Sequence, residues 1–309
     1  MDLPVDRFGI VRRTAVLRHG HTDDLLKART RAGDLIHLGH GAYAPAGRLP
    51  DDPQRDDAVY RLRCIAFATA GRGAAPVLSH QSAAAVHGLP LLKPEHTRVH
   101  LLSGQAGRGD RCHQRHIHPG VATAAIVVDA VRVTTLERTT IDVACAAEFA
   151  QALTALDGAL RLGATLDSLR AELAARRRRG AAMARRALEY ADAGAESVGE
   201  SWSRAQFILA DLPPAQLQVP YRCRTRTART DFSWGGRLVG EFDGLVKYGR
   251  TYARPGQTPA DIVGEEKRRE DELRALGVMV VRWVWADLER NRVVPEVLRW
   301  LHHFHLVGE

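Results

Sequence analysis

Residues 230–244, TDFSWGGRLVGEFDG, predict two β-strands joined at the glycine pair Gly235-Gly236. Because side chains alternate along a strand, Val239, Glu241 and Asp243 share one face of the second strand. Two carboxylates on one strand face are costly in a protein core unless they bind a cation. The second strand therefore predicts either a cation site or a set of compensating positive charges.

Asp231, near the start of the first strand, is the third candidate ligand, and its face depends on the turn. A strict two-residue turn places Asp231 opposite Gly240, on the face away from the two carboxylates. A three-residue loop with a glycine bulge shifts the pairing to Val239 and brings Asp231 onto the carboxylate face. We therefore predict an odd loop or a bulge at the glycine pair.

The segments around this hairpin alternate between helix and strand patterns. Ser197 is a candidate N-cap for a helix that continues through Ala210. The predicted elements that complete the C-terminal part are a short strand over 217–221, a charged helix over 261–276, a buried strand over 278–285 and a last helix from near Pro295. The predicted order is α-β-β-β-α-β-α.

An all-oxygen ligand set of Asp231, Glu241 and Asp243 suits Mg²⁺ or Mn²⁺. Such an ion lowers the pKa of a bound water and neutralises charge on a scissile phosphate. The alternative is that Glu241 and Asp243 form salt bridges with Arg282 or Arg237 across the sheet.

Residues 196–306 resemble the Vsr-like branch of the PD-(D/E)XK nucleases, which have the restriction-endonuclease-like αβββαβα fold. The matching segments are GES (199–201), TDF (230–232), GEFDG (240–244), EKRREDELR (266–274) and VRWVW (281–285). The resemblance implies an endonuclease-like domain in which Asp231 and Glu241 bind the metal ion. It also implies that Glu200 is an accessory ligand or a base that positions water.

The chain departs from this family at one position. Where the E-x-K motif has a lysine two residues after the glutamate, this chain has Asp243. That position varies in the Vsr-like branch, so we assign Asp243 as a ligand. The missing positive charge is then expected from Lys247 or Lys267, with Lys247 preferred. The charged run from Lys267 to Arg274 is otherwise expected to be a solvated helix face.

The first fifty residues have the pattern of two helices followed by a hairpin. Arg12 to Leu17 predicts a short helix, Thr22 is the N-cap of a second, and residues 35–44 predict a β-hairpin. This arrangement is typical of a winged helix-turn-helix, whose basic helix enters the DNA major groove. The DNA-contacting residues expected on the second helix are Lys27, Arg29 and Arg31. The alternative is a helical adaptor that contacts only the rest of the protein.

Residues 22–45, TDDLLKARTRAGDLIHLGHGAYAP, resemble the AbiEi-type antitoxins of type IV toxin–antitoxin systems. The resemblance continues in the segments LSHQSAAA (78–85), HGLP (87–90) and VTTLERT (133–139). It implies a DNA-binding protein with a cognate toxin as partner. We therefore expect an α+β multi-domain protein, with a winged helix over 1–49, a mixed α/β AbiEi-like domain over 50–194 and the nuclease-fold domain over 195–309.

Several residues of the middle segment suggest chemistry that we do not favour. His80, Ser82 and His87 lack the glycines of a nucleophile elbow, so they do not predict a hydrolase. Cys112, His113, His116 and His118 contain one helical i, i+4 pair at most, and we expect an exposed basic hairpin end rather than a zinc site. Arg176 to Arg179 predicts either a solvated helix face or a phosphate-contacting patch.

Charge is divided unevenly along the 309 residues, which carry a formal net charge of +8. Residues 1–194 account for +7 of this charge and residues 195–309 for +1. This division is expected if the first part binds nucleic acid and the second contains an acidic site. The arginines expected to contact the phosphate backbone beside that acidic site are Arg224, Arg226 and Arg229. Four scattered cysteines and the lack of a long apolar run favour a cytoplasmic protein without a membrane span.

These patterns predict a DNA-binding protein with a metal-dependent domain that hydrolyses phosphodiester bonds. The alternative is a non-catalytic transcriptional repressor or antitoxin that retains a degenerate nuclease fold. A third option is a structural protein that only binds partners.

Overall fold

The structure, a computed structural model, describes residues 3–39, 41–71, 76–104, 110–111, 114–120, 125–244 and 259–307. Within these residues the chain is a mixed α/β, multi-domain protein with three β-sheets. It forms two compact units, Met1–Ala147 with Leu162–Ala182, and Glu148–Arg161 with Met183–Glu309. This division does not follow the predicted boundaries after residues 49 and 194.

The elements are numbered in chain order. Those before residue 148 are β1 (Val11–Arg12), α1 (Arg13–Arg18), α2 (Asp23–Arg31), β2 (Leu35–Gly39), β3 (Ala42–Pro45), α3 (Arg55–Ala68), β4 (Val77–Leu78), α4 (His80–His87), β5 (Val99–Leu102), β6 (Asp110–Arg111), β7 (Arg115–His118), β8 (Ala125–Val128), β9 (Val131–Thr134) and α5 (Leu136–Cys145). Those after it are α6 (Phe149–Arg161), α7 (Leu166–Ala174), α8 (Ala181–Glu189), α9 (Val198–Leu209), β10 (Gln216–Arg222), β11 (Thr227–Trp234), β12 (Leu238–Phe242), α10 (Pro259–Ala275), β13 (Met279–Trp283), α11 (Trp285–Glu289) and α12 (Val293–His303). None of the helices in the described ranges is long and apolar enough to cross a membrane.

The first unit contains a three-stranded sheet in the order β1-β3-β2 and a six-stranded sheet in the order β6-β7-β5-β4-β9-β8. The predicted helix, capped helix and hairpin of the N-terminus are confirmed, and the Thr22 hydroxyl accepts a hydrogen bond from the Leu25 N–H. One buried cluster joins Ile10 and Ala42 to Tyr60 and Val133. The first fifty residues therefore share a core with the segment that follows them.

Polar residues of the middle segment have structural roles. The Ser82 hydroxyl lies 2.7 Å from the Tyr60 hydroxyl and accepts the His100 N–H at 2.8 Å. His116 and His118 lie in β7, which forms a hairpin with β6. Their side chains are half-buried, and by alternation both lie on one face of the sheet. Cys112 and His113 lie outside the described residues.

The arginine run after α7 is only partly exposed. Arg176 and Arg178 contact the Asp142 carboxylate at 3.3 and 3.1 Å, and Arg138 contacts it at 2.7 Å. Asp142 is buried, and a buried carboxylate requires such partners. Neither a solvated face nor a phosphate patch therefore describes Arg176 and Arg178, whereas Arg177 and Arg179 are exposed.

The second unit contains a mixed sheet in the order β10-β11-β12-β13, in which β12 and β13 are parallel and the other neighbours are antiparallel. The predicted order of helices and strands is confirmed, with the short α11 added between β13 and α12. One sheet face packs Phe232 and Trp283 against Phe207 of α9 and Leu301 of α12. The other face packs Val239 and its neighbours against Leu273 of α10.

Candidate functional site

Glu200, Asp231 and Glu241 come together from three elements of the second unit. Glu200 lies in the first turn of α9, where the Ser197 hydroxyl accepts its N–H at 3.1 Å, as the sequence predicts. The helix start lies against β12, since a Cβ on Gly199 would be 2.0 Å from the Phe242 ring. Glycine at 199 thus permits the close approach that carries Glu200 to the sheet.

The turn between β11 and β12 decides the face of Asp231. The register pairs Phe232 with Gly240 and Trp234 with Leu238, so the loop contains three residues. The predicted odd loop is confirmed. The next pair in this register is Asp231 and Glu241. The predicted partner of Asp231 was Val239, which lies two residues from Glu241 and on the same face of the strand. An Asp231 carboxylate oxygen accepts the Phe242 N–H at 2.8 Å.

Glu200 is held by the backbone and by Gln218. It is 7% exposed, and one carboxylate oxygen accepts the Glu196 N–H and the Gln218 side-chain N–H, both at 2.9 Å. In the β10–β11 register Gln218 lies opposite Asp231, with a left-handed φ of +53°. Such backbone strain in a non-glycine residue often marks a functional site. Gln218 was not predicted as a site residue, although it is a polar residue within the apolar run of β10.

The three carboxylates interact unfavourably while the site holds only protein atoms. The pKa of Asp231 is raised to about 7, mainly by burial and also by the nearby charges of Glu200 and Glu241. The Phe242 N–H and the guanidinium of Arg269 oppose this rise. The chain therefore places Asp231 in a position that favours its neutral form, and a cation there would favour its charged form.

Two arginines contact Glu241. Arg269 donates from both terminal nitrogens, one of them at 2.8 Å to Oε2, and Arg282 donates from Nε to the same oxygen at 3.1 Å. Glu241 is 8% exposed, and its β13 neighbour in the parallel register is Arg282. The predicted alternative of a cross-sheet salt bridge to Arg282 is thus present for Glu241. A paired guanidinium fork of this kind neutralises the carboxylate and fixes its plane.

Arg269 is the second residue that the sequence interpretation missed. It lies on α10 within the run expected to be a solvated face, yet its side chain is 19% exposed and also donates to the Arg229 carbonyl at 2.8 Å. Leu273, one turn later, is fully buried against the sheet. The i, i+4 spacing to Leu273 is the signal that places Arg269 on the covered face.

Asp243 and Lys267 are the other predicted residues of this site that the structure describes. Asp243 is half-buried, follows β12 on the face of Glu241 by alternation, and donates its N–H to the Trp283 carbonyl at 2.8 Å. Lys267 is exposed on α10. Lys247, the preferred replacement for the family lysine, lies outside the described residues.

The arginines preceding Asp231 lie on a hairpin rather than in a flexible loop. Arg229 is in β11, and its guanidinium donates two hydrogen bonds to Glu196, at 2.9 and 2.6 Å. Arg224 and Arg226 lie at the connection between β10 and β11. The side chains of all three arginines are exposed.

The predicted DNA-contacting residues of the first unit are on α2. Lys27 is exposed and contacts Asp24 at 3.0 Å, while Arg29 contacts Asp34 at 2.9 Å. Arg31 is exposed in the last turn of the helix. The basic face is therefore accessible, and acidic residues offset part of its charge.

Comparison with known proteins returns relatives without an assigned activity. No family model matches the chain. Two proteins of Mycobacterium tuberculosis, "Uncharacterized protein Rv2248" of strain H37Rv and "Uncharacterized protein MT2308" of strain CDC 1551, are each 29% identical to it over 301 residues. The alignments cover 93% of this chain and 100% of each relative. The chain is thus similar, over the length of both units, to these two mycobacterial proteins.

Proposed function

We propose that the second unit hydrolyses phosphodiester bonds in DNA with a Mg²⁺ or Mn²⁺ ion bound by Asp231, Glu241 and Asp243. The observation that carries this proposal is that Asp231 and Glu241 lie side by side on β11 and β12 with Glu200 nearby, so that burial and the charges of both glutamates raise the pKa of Asp231 to about 7. The order of elements and the β10-β11-β12-β13 topology support assigning the unit to the PD-(D/E)XK fold.

The donor chemistry of these acids suits a hard divalent cation, although no three of the described carboxylates have oxygens within 4.8 Å of one another. Carboxylate oxygens are its preferred ligands, and its charge would remove the repulsion among Glu200, Asp231 and Glu241. A bound Mg²⁺ supplies an activated water and stabilises charge on the phosphate. Glu200, held by Gln218, is suited to accept a proton from such a water. Arg269 replaces the family lysine as the positive group beside Glu241.

We propose that the first unit binds DNA through a winged helix-turn-helix. The support is the order of α1, α2 and the β2–β3 hairpin, together with the exposed Lys27 and Arg31. Phosphate contacts from such residues supply affinity that falls with salt. On this proposal the protein acts in the cytoplasm, where it meets DNA.

The second candidate function is a non-catalytic repressor or antitoxin with a cognate toxin as its partner. The specific observation that favours it is the neutralisation of Glu241 by Arg269 and Arg282. With two guanidiniums on one carboxylate, the site has less need of a divalent ion. The two candidates differ in whether Asp231 is required for any activity.

Cleavage assays on the full chain separate the two candidates. Supercoiled plasmid and short duplexes are incubated with Mg²⁺ or Mn²⁺ and either wild type, Asp231→Asn or the control Asp271→Asn, which changes an exposed α10 carboxylate. Hydrolysis requires cleavage by wild type and the control, and its loss in Asp231→Asn with DNA binding retained. No cleavage by wild type, with metal-independent DNA binding that Asp231→Asn leaves unchanged, supports the repressor instead.

A further inference from the structure

Four histidines of the first unit lie together next to the six-stranded sheet. The ring centroids of His80 and His118 are 3.6 Å apart, those of His116 and His118 are 3.8 Å apart, and those of His100 and His118 are 5.2 Å apart. Three of the four come from neighbouring strands, since β5 and β7 are parallel and pair His100 with His116. The grouping is a product of the fold, because 36 residues separate His80 from His116 in the sequence.

Local geometry explains why the side chains converge. Along β7, His116 and His118 point to one face while Ile117 packs against the hydrophobic core. His80 is the first residue of α4, separated from β4 by Ser79, and has a left-handed φ of +48°, a strained conformation for a residue other than glycine. The strain persists because the surrounding hydrogen bonds hold this turn.

Those hydrogen bonds join the start of α4 to β5. The Ser79 N–H donates to the His100 carbonyl at 3.0 Å, and the Ser82 hydroxyl accepts the His100 N–H at 2.8 Å. The Ser79 hydroxyl lies 3.1 Å from Nδ1 of His80. A partner on one ring nitrogen fixes the imidazole and leaves the other nitrogen for a metal, as in most protein metal sites.

Donor nitrogens of His80, His100 and His118 all lie within 4.8 Å of one another, and Nδ1 of His100 is 2.9 Å from Nε2 of His118. Around a tetrahedral zinc ion with bonds of about 2.0–2.1 Å, ligand nitrogens are about 3.4 Å apart. The stacked rings of His80 and His118, whose planes are 14° apart, must turn away from each other to direct their nitrogens at one ion. The three donor nitrogens lie close enough together for a single ion to reach them all after that movement.

The surroundings of His80 favour its neutral form. Burial lowers the pKa of His80 well below the usual value, and the neighbouring imidazoles and Arg138 lower it further. A neutral imidazole is the form that binds metals. Arg138 is itself engaged by Asp142 at 2.7 Å.

We propose that His80, His100 and His118 bind a divalent transition-metal ion, with zinc the best fit. Imidazole ligands suit zinc and its neighbours, whereas Mg²⁺ and Mn²⁺ suit carboxylates. The site is thus chemically distinct from the acid cluster of the second unit. His116 or a water molecule completes the coordination. The ion ties the start of α4 to β5 and β7, and so stabilises the first unit.

Metal titration of the full chain tests the proposal. Asp231→Asn serves as the background so that the acid cluster does not contribute, and Co²⁺ is the probe because its visible spectrum reports coordination. We expect one equivalent of Co²⁺ to give a tetrahedral or five-coordinate spectrum that zinc abolishes. His80→Gln, His100→Gln and His118→Gln should each weaken binding more than about 100-fold, beyond the effect of residues that only orient ligands. His37→Gln, a change in the same unit outside the cluster, should leave binding intact.

A measurement without variants guards against misfolding of the substituted proteins. X-ray absorption of the same background protein loaded with one equivalent of zinc should show three or four imidazole ligands at about 2.0 Å. A coordination shell of oxygen or sulfur ligands overturns the proposal, as does Co²⁺ binding that the three substitutions leave unchanged. Failure of the protein to bind Co²⁺ or zinc also overturns it, and none of these outcomes depends on nuclease activity.

Discussion

Asp231→Asn is expected to stabilise the second unit at alkaline pH. The carboxyl group has a pKa near 7 in the folded protein, against 3.8 as its ordinary value. The folded state therefore binds this proton more tightly than the unfolded state, and stability falls as pH rises from about 4 to about 7. Above pH 7 the free energy of unfolding is lowered by the full cost of the charged Asp231 carboxylate. Asparagine has the same shape, accepts the Phe242 N–H equally well and carries no charge.

The size of the effect follows from the difference between the two pKa values. About three pH units at about 1.4 kcal/mol each set an upper limit near 4 kcal/mol. Asp231 is only half-buried, so water screens part of its interaction with Glu200 and Glu241. We expect the variant to be more stable than wild type by about 1–2 kcal/mol at pH 8, and by less at pH 5.

Urea denaturation followed by tryptophan fluorescence measures this unit selectively. All five tryptophans belong to it, namely Trp202, Trp234, Trp283, Trp285 and Trp300. Saturating Mn²⁺ should stabilise wild type at pH 8 and have little effect on Asp231→Asn. Asp271→Asn, on the exposed side of α10, should match wild type at both pH values.

An Asp231→Asn protein that is no more stable than wild type at pH 8 would contradict this prediction. Such a result would mean that the carboxylates of Glu200 and Glu241 do not repel that of Asp231 in the folded protein. Stabilisation of equal size at pH 5 and pH 8 would point to a change in packing rather than in charge.

Three further predictions concern other parts of the chain. Arg269→Met leaves the buried Glu241 with one arginine, and should cost about 2–3 kcal/mol in metal-free urea denaturation; the exposed Arg274→Met should cost under about 0.5 kcal/mol, and equal losses would contradict the arrangement. Gly180→Ala places a Cβ 1.9 Å from the carbonyl oxygen of Cys145, at the end of α5, in a residue whose φ is +79°. It should lower the free energy of unfolding by about 2–4 kcal/mol, as measured by circular dichroism. An unchanged free energy of unfolding would show that Gly180 does not lie against the end of α5. Combined Lys27→Gln and Arg31→Gln should lower the slope of log affinity for DNA against log salt by about 2, and an unchanged slope would remove α2 from the interface.

Local patterns in the sequence predicted most elements of the second unit. Ser197 begins a helix because its hydroxyl satisfies the N–H of Glu200, and this depends on neighbouring residues only. The face of Asp231 in the hairpin was predictable because side chains alternate between the two faces of a strand. A shift of the pairing by one residue would have moved every buried apolar side chain to the opposite face. These features follow from short-range geometry.

The composition of the acid cluster was predictable in the same way, and so was the contact of Glu241 with Arg282, but its contact with Arg269 was not. Alternation placed Glu241 and Asp243 on one face, whereas Arg269 comes from α10, 28 residues after Glu241. A run of alternating charges looks the same whether its helix is solvated or lies against a sheet. Only the buried Leu273 distinguishes the face that carries Arg269.

The histidine cluster shows the same division most clearly. The sequence by itself determined the strands, the helix starts and the apolar faces, because each depends on residues close along the chain. The meeting of His80, His100 and His118 was decided by tertiary structure alone, through the pairing of β5 with β7 and the left-handed turn after β4. Contacts between residues distant in sequence depend on how strands are ordered in a sheet, and no local spacing encodes that order.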